Sequence, residues 1–530
     1  MRYLIKNGII YDGDGGNPFR GDILIENEII QEIGTNLTAP AEIINAAGQI
    51  VAPGFIDTHR HCDLAALLDQ EFGTIELHQG LTSVAGGNCG LGIFPAGRNR
   101  KDIYDFVEPC LGAAAESLSI SGYEEYGKRL EEKGLPLHTG LFLGTGAVKA
   151  AIKGYGNSPF TVKEMELAKG YIRENLESGV LGLSMGIMYQ PECYSSYKEM
   201  TELLKTAAPY GRPLMCHIRG EGDSLVSSVR EVIGLCQEAE LPLNISHFKA
   251  TGIRNWNKTI YKAIEAVEEA RNRGQDVTAD FYPYCGGSTT LLSLLPPSVI
   301  EGSLEESYRK LHNKHGIEKL KKELYKEQEG WDNMVTSIGW SRILISSVTK
   351  ESNRILTGLD FEKAADIRGY EDPAELMADL LYEENGKVGI ILLSMSQEDV
   401  DTVARLPYTM LISDSLYGRS DCPHPRLYGS FPRLIRDFVR ERRILTMESA
   451  IQKMTSMPAD RLNLKKRGRL KDGYYADMVV FHQNRFTDHG DYSNPKQLSS
   501  GLSYVFVDGK MALCDDQRLH GSNGKVLRIN

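Results

Sequence analysis

A chain of 530 residues, 41% apolar and 25% charged, can bury a large core, and more than one domain is the default expectation. Its net charge of −11 has no compensating basic stripe, which argues against a nucleic-acid partner; the short clusters Lys465–Arg467 and Arg440–Arg443 read as solvated helix faces. No apolar run reaches the ~18–20 residues of a bilayer span, so no membrane partner is expected.

The chain opens with short alternating runs and turn signals, Asn7-Gly8 and Asp12 to Gly16, over residues 1–48. Tyr3–Gly8 is strand-like, with no secretory h-region. From residue 50, apolar runs alternate with helical stretches. The runs are Ile50–Ile56, Leu81–Ala85, Leu137–Leu143, Val180–Met185, Pro213–His217, Pro242–His247, Asp276–Phe281 and Tyr408–Ser413. Helices are predicted over Leu64–Gln79, Tyr123–Lys133, Thr161–Ser178, Tyr197–Ala208, Ser224–Glu240 and Thr259–Arg273. Eight βα units close a (β/α)8 barrel, whose active site lies at the carboxyl ends of the strands. The spacing fails at residues 286–406, an insertion with a charged helical stretch at Leu304–Gln328. It is either a lid or pocket element or a decorative helical subdomain. Turn-rich strands return at Asp472–Phe481 and Tyr504–Gly509. The predicted architecture is thus a TIM-like barrel over 51–464 and a small β-sandwich domain built from 1–50 and 465–530. Nine scattered cysteines without a Cys-x-x-Cys pair speak against a disulfide framework and for a cytoplasmic protein.

The chemistry sits at the strand ends. His59 and His61, one residue apart on an extended segment, project to one side and can chelate one ion. Cys89 follows the second run in Gly86-Gly87-Asn88-Cys89-Gly90, His217 ends the fifth, His247 the sixth, and Asp414 the eighth. On a barrel all six converge on one rim, and imidazole, thiolate and carboxylate together suit zinc. Taken singly, a strand-end histidine is more often packed or capping, and Ser413-Asp414-Ser415 would also serve as a cap. The convergence is what favours a metal centre.

Several motifs carry a resemblance over nearly the whole chain, weakest at 300–400. They are Gly54-Phe55-Ile56-Asp57 leading into His-x-His, Gly87-Asn88-Cys89-Gly90, Cys216-His217-Ile218-Arg219 with Glu221-Gly222-Asp223, and Ile245-Ser246-His247-Phe248-Lys249. Phe281-Tyr282-Pro283-Tyr284, His424-Pro425-Arg426 through Arg433, and Gly468-Arg469-Leu470 through Asp477 complete the set. The chain resembles the amidohydrolase superfamily and, within it, the N-acyl-D-amino-acid deacylases. The resemblance implies one tight zinc on Cys89, His217 and His247, and a second, weaker site on His59, His61 and Asp414 with Cys89 able to bridge. It implies that metal-activated water attacks the amide while Asp414 shuttles the proton. It also implies that Lys249, Tyr282, Ser288 and Arg426 hold the α-carboxylate of a small N-acyl-D-amino acid, with Tyr189 at the scissile carbonyl. The loop Leu291–Pro297 lacks the cation found in relatives that act on acidic substrates, so a neutral side chain is expected. Thr145 stands where relatives often carry histidine. A cyclic-amide hydrolase, an amino-sugar deacetylase and a non-catalytic scaffold are the alternatives, and an oligomer is compatible with all of them.

Overall fold

The computed structural model describes residues 1–115, 117–299, 304–326 and 331–529. Eight parallel strand segments surround one core, at Phe55–Asp57, Leu81–Gly86, His138–Leu141 continued by Leu143–Gly144, Leu183–Gly186, Leu214–His217, Leu243–Ile245, Val277–Phe281 and Thr409–Leu411. They are almost entirely buried because helices cover their outer face, as a parallel sheet requires. Between the eighth strand and the first, closure is made at the carboxyl-terminal rim. Ser415–Leu416 pairs with Arg60–His61, and the Asp414 N–H donates to His59 O at 2.9 Å.

The run Ile50–Ile56 is two strands, not one. Ile50–Pro53 belongs to the terminal sheet, where it pairs with Ile9–Ile10 and with Met478–Phe481, and only Phe55–Asp57 enters the barrel. Gly54 marks the crossing, since a Cβ there would lie 2.2 Å from Thr82 Oγ1. The terminal sheet has nine strands and joins residues from both ends of the chain, including Arg2–Ile10, Phe19–Glu26 and Leu502–Val507. Phe55 links it to the barrel, with ring centroids 6.0 Å from Phe431 and 6.3 Å from Phe481.

The predicted helix Leu64–Gln79 is two short helices, Asp63–Leu68 and Thr74–His78, broken where Gly73 takes a φ of 102°. Helices at Arg100–Leu111 and Thr145–Lys153 were not expected from periodicity. The insertion has its own apolar core and an antiparallel sheet in which Gly389–Leu392 lies between Gly287–Thr290 and Ile343–Ser347. Its charged stretch is helical over Leu304–Leu311 and Lys314–Leu324, and residues 327–328 of the expected helix lie outside the described residues. Among the described residues no helix is long and apolar enough to cross a membrane.

Candidate metal centre

The strand ends bring the candidate donors together in a buried cluster. Cys89 Sγ lies 3.3 Å from His59 Nε2 and 3.7 Å from His247 Nε2. Asp414 Oδ1 lies 3.4 Å from the Nε2 atoms of both His59 and His61. His217 completes the group only in part. Its ring centroid is 4.4 Å from that of His247, but its Nε2 rests 3.2 Å from Met188 Sδ. The compact donor sets at this rim are therefore His59–Cys89–His247, His59–His61–Asp414 and His217–Glu221–His247, and among the described residues Cys89, His217 and His247 do not form one set.

Backbone geometry accounts for the convergence. Cys89, His247 and Asp414 all leave their strands through left-handed backbone, with φ of 57°, 37° and 50°. Non-glycine residues take up this region at a cost and persist there only when their surroundings hold them. Asp280, on the seventh strand, accepts the His247 N–H and the Asn244 amide at 2.5 Å. Asn88 donates to the carbonyls of Thr58 at 3.3 Å and Arg60 at 3.5 Å, which flank His59. Gly186 allows the Cys89 carbonyl to pass where a Cβ would lie 1.9 Å away. Asp57 accepts the backbone N–H groups of His59 (3.2 Å) and Ser413 (3.1 Å), and it pairs with fully buried Arg60 at 3.1 Å. The charge between the two histidines is thereby neutralised.

The electrostatics fit a metal. Burial pushes His59, His217 and His247 well below the ordinary imidazole range, so each offers a neutral ring. Burial pushes the Cys89 thiol up, so a thiolate there needs a cation beside it. Burial also raises the Asp414 carboxyl, but Arg426 and His59 outweigh it and hold the group well below the usual carboxylate range. The Nδ1 atoms of His59, His61 and His217 are buried without hydrogen-bond partners. Three nitrogens, a sulfur and a carboxylate, each buried and converging, form a donor set of zinc type.

A cavity of about 280 Å³ opens beside the cluster and is lined by Cys89, His61, His217, His247 and Asp414 together with Tyr189, Lys249, Tyr282 and Ser288. Arg426 is buried behind it. Its Nη1 lies 2.8 Å from Asp414 Oδ2, its Nη2 donates to Ser288 O at 3.4 Å, and its guanidinium stacks 4.7 Å above the Tyr282 ring. Lys249 lies 5.7 Å from that ring's centre, so both cations neighbour the Tyr282 ring. Tyr189 packs 4.8 Å from the His217 ring and bonds Thr289 Oγ1 at 3.2 Å. The 286–406 segment supplies Thr289, Leu292, Leu295, Trp331, Met334 and Leu392 to the wall, which makes it a pocket element rather than decoration.

Residues missed by sequence reasoning lie just behind these groups. Thr145 donates to Glu192, whose other oxygen accepts the Gly186 N–H at 2.7 Å. Burial pushes the Glu192 carboxyl up to about 7. The folded state therefore holds this proton more tightly than the unfolded chain does, and its contribution to stability is lost as pH rises from about 4.5 to about 7. Glu192→Gln is expected to flatten that part of the stability–pH profile measured by urea unfolding. An unchanged slope would show that the group is ionised throughout.

A parallel barrel with a His-x-His, Cys, His and Asp rim defines the amidohydrolase class, and a profile described as the amidohydrolase family matches residues 402–512. The chain belongs, within that class, to the N-acyl-D-amino-acid deacylase family. It is 30% identical over 515 residues to an N-acyl-D-glutamate deacylase of Alcaligenes xylosoxydans xylosoxydans, covering 96% of this chain and 92% of the relative. It is 28% identical over 530 residues to a D-aminoacylase of the same organism, covering 99% and 97%. The solved N-acyl-D-glutamate deacylase of Bordetella bronchiseptica, complexed with zinc and a phosphonate mimic of the tetrahedral intermediate, superposes with a TM-score of 0.82 at 27% identity over 99% of both chains. A D-hydantoinase at 17% identity and a TM-score of 0.56, over 100% of this chain and 99% of the other, shares the fold alone.

Proposed function

We propose that the protein is a zinc-dependent hydrolase of N-acyl-D-amino acids with neutral, apolar side chains, yielding a carboxylate and the free D-amino acid. The observation that carries this reading is the cluster of Cys89, His59, His61, His247 and Asp414 beside a cavity flanked by two cations. Cys89, His59 and His247 would hold one ion, with His217 at its edge, and His61 and Asp414 would extend the set towards a second. Bound zinc lowers the pKa of a water towards ~7 and polarises an amide carbonyl.

The remaining steps belong to side chains. Lys249, Arg426, Tyr282 and Ser288 hold the substrate α-carboxylate, Arg426 offering a planar fork. Tyr189, against His217, lies on the wall where it can meet the scissile carbonyl. As water adds to the carbonyl carbon, Asp414 takes the proton that water gives up and passes it to the amide nitrogen. The C–N bond then breaks with a neutral amine as leaving group. Because Arg426 lies 2.8 Å from Asp414, the carboxylate clamp and the proton carrier are adjacent.

The wall favours an uncharged substrate side chain. Its remaining cation, Arg219, is already held by Glu231 at 2.9 Å. N-acetyl-D-methionine is expected to turn over at least about 100-fold faster than N-acetyl-D-glutamate, a difference of ~2.7 kcal/mol that is small beside the cost of burying an unpaired carboxylate. Initial rates of amine release on both, with a hydantoin alongside, check this. Preference for the glutamate removes the apolar assignment, and faster ring opening would move the protein to the cyclic amides. The nine free cysteines support placement in the cytoplasm.

A further inference from the structure

Glu221, in the loop after the fifth strand, touches neither Cys89 nor Asp414, yet it meets the two side chains on which binding depends. Its Oε1 accepts from Lys249 Nζ at 2.6 Å and lies 2.9 Å from His247 Nδ1 and 3.9 Å from His217 Nε2. Its backbone is held from both sides. Glu221 O accepts the Thr251 N–H at 2.8 Å, and Asp332 of the insertion accepts the Gly222 N–H at 2.7 Å. His247 is buried, and Glu221 and Lys249 are largely enclosed at the cavity wall.

His247 Nδ1 has two neighbours of opposite character, Glu221 Oε1 at 2.9 Å and Lys249 Nζ at 2.7 Å. A neutral imidazole carries one N–H. Donated from Nδ1 to Glu221, it leaves a lone pair on Nε2, the atom 3.7 Å from Cys89 Sγ. If Nδ1 instead accepts from the Lys249 ammonium, the proton resides on Nε2 and that atom cannot ligate. We propose that Glu221 is a positioning residue that sets the Nδ1–H tautomer of His247 by accepting that N–H in competition with the Lys249 ammonium, which it also binds. The inference rests on the metal-centre reading and is independent of which amide is cleaved.

The test is zinc affinity of the purified full-length chain, measured by competition with a chelator. Glu221→Ala is expected to weaken zinc binding by about 10–100-fold, the range for lost partners of metal-bound histidines. Adding Lys249→Met to Glu221→Ala removes the competing donor and is expected to recover most of that loss. A merely structural role for Glu221 would not be rescued by a second deletion. Glu221→Gln, which keeps the side-chain volume, is expected to lie between wild type and Glu221→Ala and serves if the alanine variant does not fold. Affinity within about threefold of wild type for both single variants, or a double variant no better than Glu221→Ala, overturns the proposal. Because zinc binding is read rather than turnover, a wild type that binds zinc but leaves N-acyl-D-amino acids intact would sink the deacylase reading and spare this one.

Discussion

Replacing Asp414 with asparagine is expected to leave zinc bound at the Cys89 side of the centre while lowering kcat by ~10²–10⁴, the usual contribution of a positioned acid–base group. The two consequences separate because of where the oxygens point. Oδ1 lies 3.4 Å from the Nε2 atoms of His59 and His61, sharing His59 with Cys89, whereas Cys89 also meets His247 at 3.7 Å. Asparagine keeps an oxygen and nearly the same volume, so the donor cluster stays packed. It cannot take a proton from water and return it to nitrogen. It also removes the negative partner of buried Arg426, which leaves that cation uncompensated. Some loss of stability should therefore accompany the loss of turnover. Zinc content and kcat measured on the same preparation check the prediction. Retained zinc with turnover within about tenfold of wild type would remove Asp414 from proton transfer.

Cys89→Ala is expected to abolish both properties together. Cys89 is the one donor close to both His59 and His247, and a buried thiol in this position ionises only beside a cation. Its removal should weaken zinc by more than the ~10–100-fold typical of changes around ligands, with activity falling in proportion to metal content. The substitution deletes little buried volume, so the melting temperature of the metal-free protein should change little. Metal content and apo-protein melting, measured side by side, distinguish a lost ligand from a lost fold. Full zinc occupancy in the alanine variant would move the ion to the His59–His61–Asp414 set.

Most of the barrel and the strand-end positions of the candidate donors were legible because buried parallel strands are continuous apolar runs, but the grouping of Cys89 with His59 rather than His217 was not. Register was harder. Ile50 to Ile56 is one apolar run but serves two sheets, and the crossing falls at Gly54, where Thr82 leaves no room for a Cβ. The helix at Arg100–Leu111 carries Pro109, which masks its periodicity. Cys89 meets His59, while His217 Nε2 instead rests against Met188, a contact that no spacing rule predicts. Asp280, Glu192 and Glu221 act on residues 33, 47 and 26 positions away in the chain, through contacts that exist only after the barrel closes. Glu221 did lie inside a quoted motif, two residues after Arg219, but its role is visible only beside Lys249.

The measurement that bears most directly on the central claim is amine release from N-acetyl-D-methionine and N-acetyl-L-methionine by zinc-loaded and chelator-treated protein. Hydrolysis of the D form alone, lost with the chelator and restored by zinc, is the predicted result. Equal hydrolysis of both forms, or hydrolysis that survives complete removal of zinc, would contradict it.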